Sequence, residues 1–202
     1  PQIAFGHDVM TRIHHGSSPE GLDALSGAIQ EALNALIVEI CAQSGSQPLE
    51  ILDVVLGGNT TMLQLLAGID PFPLGRDPFQ VSIAGGTSYP AADFGLQINP
   101  GASVYLPPIL HAFVGTDISA GLLLCEGFFD DGAKVLFLDV GTNGEMVLNI
   151  QGRRVATSTA AGPVFEGAVL SAGMRAGEGA VEAVSLVDGD LRLSSIGKGP
   201  IK

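Results

Sequence analysis

Val135-Leu136-Phe137-Leu138-Asp139-Val140-Gly141-Thr142-Asn143-Gly144-Glu145-Met146-Val147-Leu148 decides the fold. Its first apolar run is too short for a buried helix and ends in an acid. A glycine-bracketed turn then leads into a second apolar run, which predicts a β-hairpin turning over Gly141 to Gly144. Glycines let the backbone come close to an anion. Their N–H groups, with the Thr142 hydroxyl and the Asn143 amide, can donate to phosphate oxygens. Asp139, at the strand end, is the residue type that holds Mg²⁺ through water. An ordinary hairpin with an Asx-type turn uses the same residues, so this stretch alone leaves both readings open.

Downstream, Arg153 to Thr159 predicts a third strand, delivered into Ser158-Thr159-Ala160-Ala161-Gly162-Pro163, with Pro163 opening a helix. Glu166 in that helix's first turn either complements the dipole or orients a water. Ala180 to Leu186 and Leu191 to Ser194 predict two short strands around Asp188-Gly189-Asp190. Upstream, Leu49 to Leu56 reads as a buried strand running into Gly57-Gly58-Asn59-Thr60-Thr61 and a short helix. That entry is either a second anion site or plain capping by Asn59. Ser103 to Leu106 predicts a strand, and Gly115-Thr116-Asp117 caps a helix ending at Gly127. Asp117 serves there as a first-turn stabiliser or a site acid.

Nearer the start, Ser18-Pro19-Glu20 opens a helix with Leu22, Leu25, Ile29, Leu33, Leu36, Ile37 and Ile40 on one core-facing stripe and a polar back; it stops near Gly45. Asp70 to Pro100 is loop-like, with Phe79 to Ile83 as an edge strand. His7, His14 and His15 with Asp8 match no tight metal spacing and are read as surface or hydrogen-bonding histidines.

The 202 residues are 46% hydrophobic and 15% charged, with 28 glycines. Little charge and much glycine suit tightly packed α/β layers with many strand-to-helix turns. A net charge of −12 with only nine Lys and Arg argues against nucleic-acid and anionic-membrane surfaces. No apolar run approaches the ~20 residues that cross a bilayer. Cys41 and Cys125 are read as buried free thiols of a reducing cytoplasm, in preference to a disulfide. Two cysteines cannot build an iron–sulfur cluster, which needs about four.

Three adjacent strands about an Asp-x-Gly turn, followed by a helix, resemble the opening of one lobe of the sugar kinase, Hsp70 and actin superfamily. Five motifs in order narrow the resemblance: Pro1-Gln2-Ile3-Ala4-Phe5-Gly6-His7-Asp8-Val9; Gly58-Asn59-Thr60-Thr61-Met62; Pro107-Pro108 with Val114-Gly115-Thr116-Asp117; Asp139 to Glu145; and Ser158 to Ala168. Together they look like the C-terminal ATPase region of the reductive activators of corrinoid proteins, over essentially the whole chain.

That resemblance implies an α/β fold of ribonuclease-H-like, actin-like ATPase type, partial, with a mixed sheet and helices on both faces. Residues 1–102 would complete a first lobe with a proline-rich loop region, and 103–202 an incomplete second lobe. The family's activity would couple ATP hydrolysis to reduction of a Co(II) corrinoid protein to Co(I), with electrons from a [2Fe–2S] ferredoxin domain absent here. Asp139 would bind Mg²⁺ through water, while Gly141, Thr142, Asn143 and Gly144 cradle the β- and γ-phosphates. Gly58, Asn59 and Thr60 would face the γ-phosphate from the other lobe, and Glu145 and Glu166 are candidates for orienting water. The missing first phosphate loop and adenosine segment imply weak ATP binding by these residues alone. The partner would be a corrinoid protein, with no nucleic acid or membrane; family members look dimeric, which leaves a homodimer open. Two alternatives remain, a small-molecule kinase of the same superfamily and a non-catalytic module docking on a corrinoid protein.

Overall fold

The computed structural model of the chain describes residues 5, 8–160, 162, 174, 176–198 and 200–201. It divides into two compact units, Pro1–Phe137 with Val147–Thr157, and Leu138–Met146 with Ser158–Lys202.

The first unit opens with α1, Val9–His15, a helix not foreseen in the sequence. Its signal is the N-cap: the Asp8 carboxylate accepts from the Thr11 N–H at 2.8 Å and the Thr11 hydroxyl at 2.9 Å. These bonds favour the ionised form and hold the Asp8 carboxyl below its usual range. A depressed folded pKa contributes stability above the unfolded value of about 3.9, lost as pH falls through the folded one. Asp8→Ala is therefore expected to cost about 1 kcal/mol at neutral pH. In thermal melts the gap to the parent should narrow below about pH 4; a pH-independent gap would contradict this account. His14 and His15 are exposed in the last turn of α1. No group of three or more metal-ligating side chains occurs among the described residues.

The helix α2, Pro19–Ser44, has the ends the sequence dictates: Ser18 accepts from the Gly21 N–H, and Gly45 is left-handed at φ 73°. Ile29, Leu33 and Ile37 pack on the core, but Leu36 and Ile40, expected on the same core-facing stripe, are exposed, as is Val38, so the buried stripe is narrower than expected and the back is in part apolar. By length and composition α2 could also cross a membrane, which corrects the expectation that no segment approaches that size. The charges that interrupt the run are few enough to pass. Two of its amide side chains are spent within the unit, however. The Asn34 amide donates to the Gly95 carbonyl at 2.9 Å and accepts from the Gln97 N–H at 2.8 Å, and Gln30 donates to the Leu66 carbonyl.

Beneath α2 lies a three-stranded mixed sheet of β1 (Asp53–Val55), β2 (Thr87–Pro90) and β3 (Ser103–Leu106), in the order β1-β3-β2. The central strand pairs parallel to β1 (Val54↔Val104) and antiparallel to β2 (Tyr89↔Val104). Val104 and Leu106 are fully buried among Leu63, Leu66, Ile83 and Phe94. Two expectations need correction. The strand read over Leu49 to Leu56 is only three residues long and lies at the sheet edge, with Val55 68% exposed. Phe79 to Ile83 is not a strand: Phe79 sits at φ 56°, outside extended geometry, and packs edge-on against Phe113. The edge it was expected to form belongs to β2. Ser103, read as opening a second lobe, thus lies between strands of the first.

Two helices lead away from this sheet's strands, α3 (Thr60–Leu66) and α4 (Thr116–Leu124). Then β4 (Lys134–Val140), β5 (Asn143–Ile150) and β6 (Arg153–Ala160) form a second sheet in that order. Residue links as short as these require antiparallel neighbours. The Gln151-Gly152 turn has φ of 53° and 85°, the geometry that suits strand twist. Ile118 and Leu122 of α4 pack with Val135, Phe137 and Val147. At Gly121 an added Cβ would lie 2.8 Å from Phe137, so glycine lets helix and strand approach.

The second unit contains the bend between β4 and β5, the end of β6, and a hairpin of β7 (Val181–Val187) and β8 (Asp190–Ser195). That hairpin turns at Asp188-Gly189, with φ of 54° and 90°. The helix expected from Pro163, and Glu166 with it, lie outside the described residues.

Candidate functional site

The bend after β4 is tighter than its sequence suggested. Asn143 and Gly144 already belong to β5, leaving Gly141-Thr142 as the connection. The Gly141 N–H turns inward and donates to the Asn143 carbonyl at 2.9 Å, while the Thr142 carbonyl accepts from the Gly162 N–H at 2.7 Å. Asp139 is exposed, and its carboxylate has no hydrogen bond or ion pair among the described residues. Glu145 is half-buried and accepts from the Ser158 hydroxyl at 3.3 Å.

The two glycines differ in what the fold asks of them. A Cβ at Gly144 would lie 3.2 Å from the Thr159 methyl, so close strand packing accounts for it. At Gly141 the nearest atom would be the Asn143 carbonyl oxygen, at an ordinary 3.7 Å, and the backbone is not left-handed. Nothing among the described residues requires glycine there.

In the first unit, Gly58, Asn59 and Thr60 form the entry to α3. Asn59 caps the helix, its Oδ1 accepting from the Met62 N–H at 2.9 Å. Thr60 is fully buried and donates to the His111 carbonyl at 3.0 Å, so its hydroxyl points into the fold. Gly57 and Gly58 repeat the pattern of Gly141: neither is left-handed, and among the described residues an added Cβ would meet nothing closer than 4.0 Å. Asp117 is exposed, its carboxylate accepting from the Ile118 N–H at 3.0 Å.

Thr116 is the residue that sequence reading passed over. Fully buried at the start of α4, its Oγ1 accepts from the Gly58 N–H at 2.9 Å and lies 3.1 Å from the Gly58 carbonyl, to which it can donate. Its own N–H donates to that same carbonyl at 3.0 Å. The partners are 58 residues apart, so only the Gly-Thr-Asp triplet hinted at the role.

A parallel β1–β3 pair, flanking helices and a β4-β5-β6 sheet bent at Asp-x-Gly are parts that an actin-like ATPase fold contains, and the family model and solved structure that match the chain assign that fold to it. The model of the C-terminal domain of RACo, the ASKHA domain, matches residues 133–202, and the model of the RACo middle region matches residues 1–127. The chain belongs to this family, the reductive activators of corrinoid proteins. It is 39% identical over 198 residues to the corrinoid activation enzyme RamQ of Eubacterium limosum, covering 98% of this chain and 33% of that one. It is 36% identical over 94 residues to the Co(II) methylated amine-specific corrinoid protein reductase of Methanosarcina barkeri, covering 46% of this chain and 17% of that one. Among solved structures it resembles a reductive activator for a corrinoid, iron–sulfur protein at 36% identity and a TM-score of 0.82, over 99% of this chain and 32% of that chain. The chain thus spans about a third, or less, of the length of these relatives.

Proposed function

We propose that this chain is part of the ATPase region of an activator that couples ATP hydrolysis to one-electron reduction of a Co(II) corrinoid protein to Co(I). Its relatives are named for corrinoid activation and reduction. The observation that carries the nucleotide reading is made in each unit by itself: Gly57 and Gly58 beside Asn59, and Gly141 near Asp139, are glycines at strand ends that nothing among the described residues requires. Side chains kept small with open space beside them leave room for a ligand to reach the backbone.

In this reading Gly141, Thr142, Asn143 and Gly144 follow the β- and γ-phosphates, and Asn59 is a further candidate donor to the nucleotide. Gly58 and Thr60 shape the segment that carries Asn59. Glu145 and Glu166 orient water. Asp139 suits a Mg²⁺ ion that keeps most of its waters and takes its other ligands from phosphate, since that needs one free carboxylate and no protein cage. When bound, the ion would neutralise phosphate charge. The chain's own part is positioning, by backbone and by a few polar side chains. An iron–sulfur cluster does not fit here: the two cysteines are unpaired and too few, one buried and one half-buried. Such thiols suit the cytoplasmic setting proposed with this function.

The test is ATP hydrolysis by the natural full-length protein, with and without a Co(II) corrinoid protein. Stimulation is expected. Unstimulated transfer of phosphate to a small hydroxyl compound would point to a kinase instead. A sharper check is Gly141→Ala. With room for the methyl and no left-handed backbone, it should melt at or slightly above the parent, by about 0.4–1 kcal/mol. Its Mg-ATP affinity, read by calorimetry, should fall about tenfold or more. Unchanged affinity would remove the phosphate role of this bend.

A further inference from the structure

We propose that Thr116, with Gly115, is the positioning element for the Gly58-Asn59 segment, setting the place from which Asn59 meets the nucleotide. This rests on the nucleotide reading above. The α3 and α4 entries are joined through one residue: the Gly58 N–H is held by Thr116 Oγ1 at 2.9 Å, and the Gly58 carbonyl takes the N–H groups of Thr116 at 3.0 Å and Asp117 at 3.4 Å. Both polar atoms of the Gly58 peptide positions are therefore fixed by the start of α4. The Thr116 hydroxyl also lies 3.3 Å from the Leu56 carbonyl, at the end of β1. Contact is made close by Gly115, where a Cβ would lie 2.6 Å from the Gly58 carbonyl oxygen and 2.7 Å from Asn59 Cα. No larger residue fits there without moving the segment.

A segment whose glycines have free space beside them would otherwise be mobile, and a mobile donor binds weakly because its ordering costs entropy. The buried hydroxyl supplies the order that the glycines give up. Thr116 is thus a positioning residue, acting through Asn59 and touching no substrate itself.

The experiment measures Mg-ATP dissociation constants by calorimetry, and melting temperatures, on the natural full-length protein. Thr116→Val keeps the shape and removes the hydroxyl; it is expected to weaken binding about tenfold or more. Thr116→Ser restores the hydroxyl and should bind within about threefold of the parent. Gly115→Ala perturbs the same segment by crowding and should also weaken binding, which keeps the test open if Thr116→Val folds poorly. Ser26→Ala removes another buried hydroxyl, bonded to the Leu66 carbonyl on α3's far end, and should lower the melting temperature but leave affinity unchanged. Parental affinity in folded Thr116→Val and Gly115→Ala, with loss in Asn59→Ala, would overturn the positioning role and spare the nucleotide reading. Parental affinity in Asn59→Ala as well would overturn both.

Discussion

Asp139→Asn is expected to lower ATP hydrolysis by about 10²–10³ while leaving the melting temperature within experimental error of the parent. The asymmetry follows from where the carboxylate stands. It is exposed and makes no hydrogen bond or ion pair among the described residues, so the fold loses nothing when its charge goes. Surface substitutions away from special features stay within about 0.5 kcal/mol. Activity depends on it differently. In a chain of net charge −12, a triphosphate is met chiefly by backbone amides and by the cation it brings. An anionic ligand to that cation's water shell is worth more in the transition state, where charge on the transferring group is redistributed, than in solution. About 3–4 kcal/mol of lost stabilisation corresponds to the stated range. Excess Mg²⁺ should recover part of the loss, because weaker cation binding can be offset by mass action. A variant that hydrolyses ATP at the parental rate would remove Asp139 from the site. One that loses activity and also unfolds would show a structural role that the exposed side chain does not predict.

What could be read from the sequence was whatever is decided locally. The α2 ends were legible because Ser18, Pro19 and Gly45 each do a job within a few residues. The hairpins were legible because alternation and turn residues sit side by side, as at Asp188-Gly189. The α1 signal was present in Asp8 and Thr11, but a helix of seven residues carries too little apolar periodicity to announce itself. Failures came where partners are distant. Leu49 to Leu56 looks like a buried strand by composition, yet burial depends on which strand lies beside it, and β1 is an edge. Phe79 to Ile83 has strand-like residues, yet β3 pairs instead with Thr87 to Pro90, a choice made by register. The candidate site divides in the same way. Asp139 and Gly141 stand out by chemistry alone. The inward hydroxyl of Thr60 depends on a carbonyl 51 residues away, which no local pattern encodes.

The largest loss of stability is expected at Asn149, a residue given no part in the chemistry. It lies on β5, fully buried. Its amide nitrogen donates to the carbonyls of Phe128 at 2.6 Å and Asp130 at 3.0 Å, and its Oδ1 accepts from the Gly152 N–H at 3.0 Å. One side chain thus ties the loop before β4 to the β5–β6 turn, and three backbone groups depend on it. Asn149→Ala leaves those groups unpaired and opens a small cavity, at about 3 kcal/mol in all. For a chain of this size that is a drop of roughly 6–12 °C in melting temperature. Asn149→Asp discriminates between lost volume and lost hydrogen bonding. It is nearly isosteric and keeps the acceptor for Gly152, but turns an anionic oxygen towards two carbonyls. At neutral pH it should be at least as destabilised as the alanine variant, despite leaving no cavity. The introduced carboxyl would have a raised folded pKa, since burial and facing carbonyls both penalise its charge. A group of that kind binds its proton more tightly in the folded state, so the variant should recover stability as pH falls from 7 towards 5. Parallel melts of both variants across that range decide the matter. If the aspartate variant at neutral pH is as stable as the parent, the hydrogen bonds of Asn149 do not hold this turn in place.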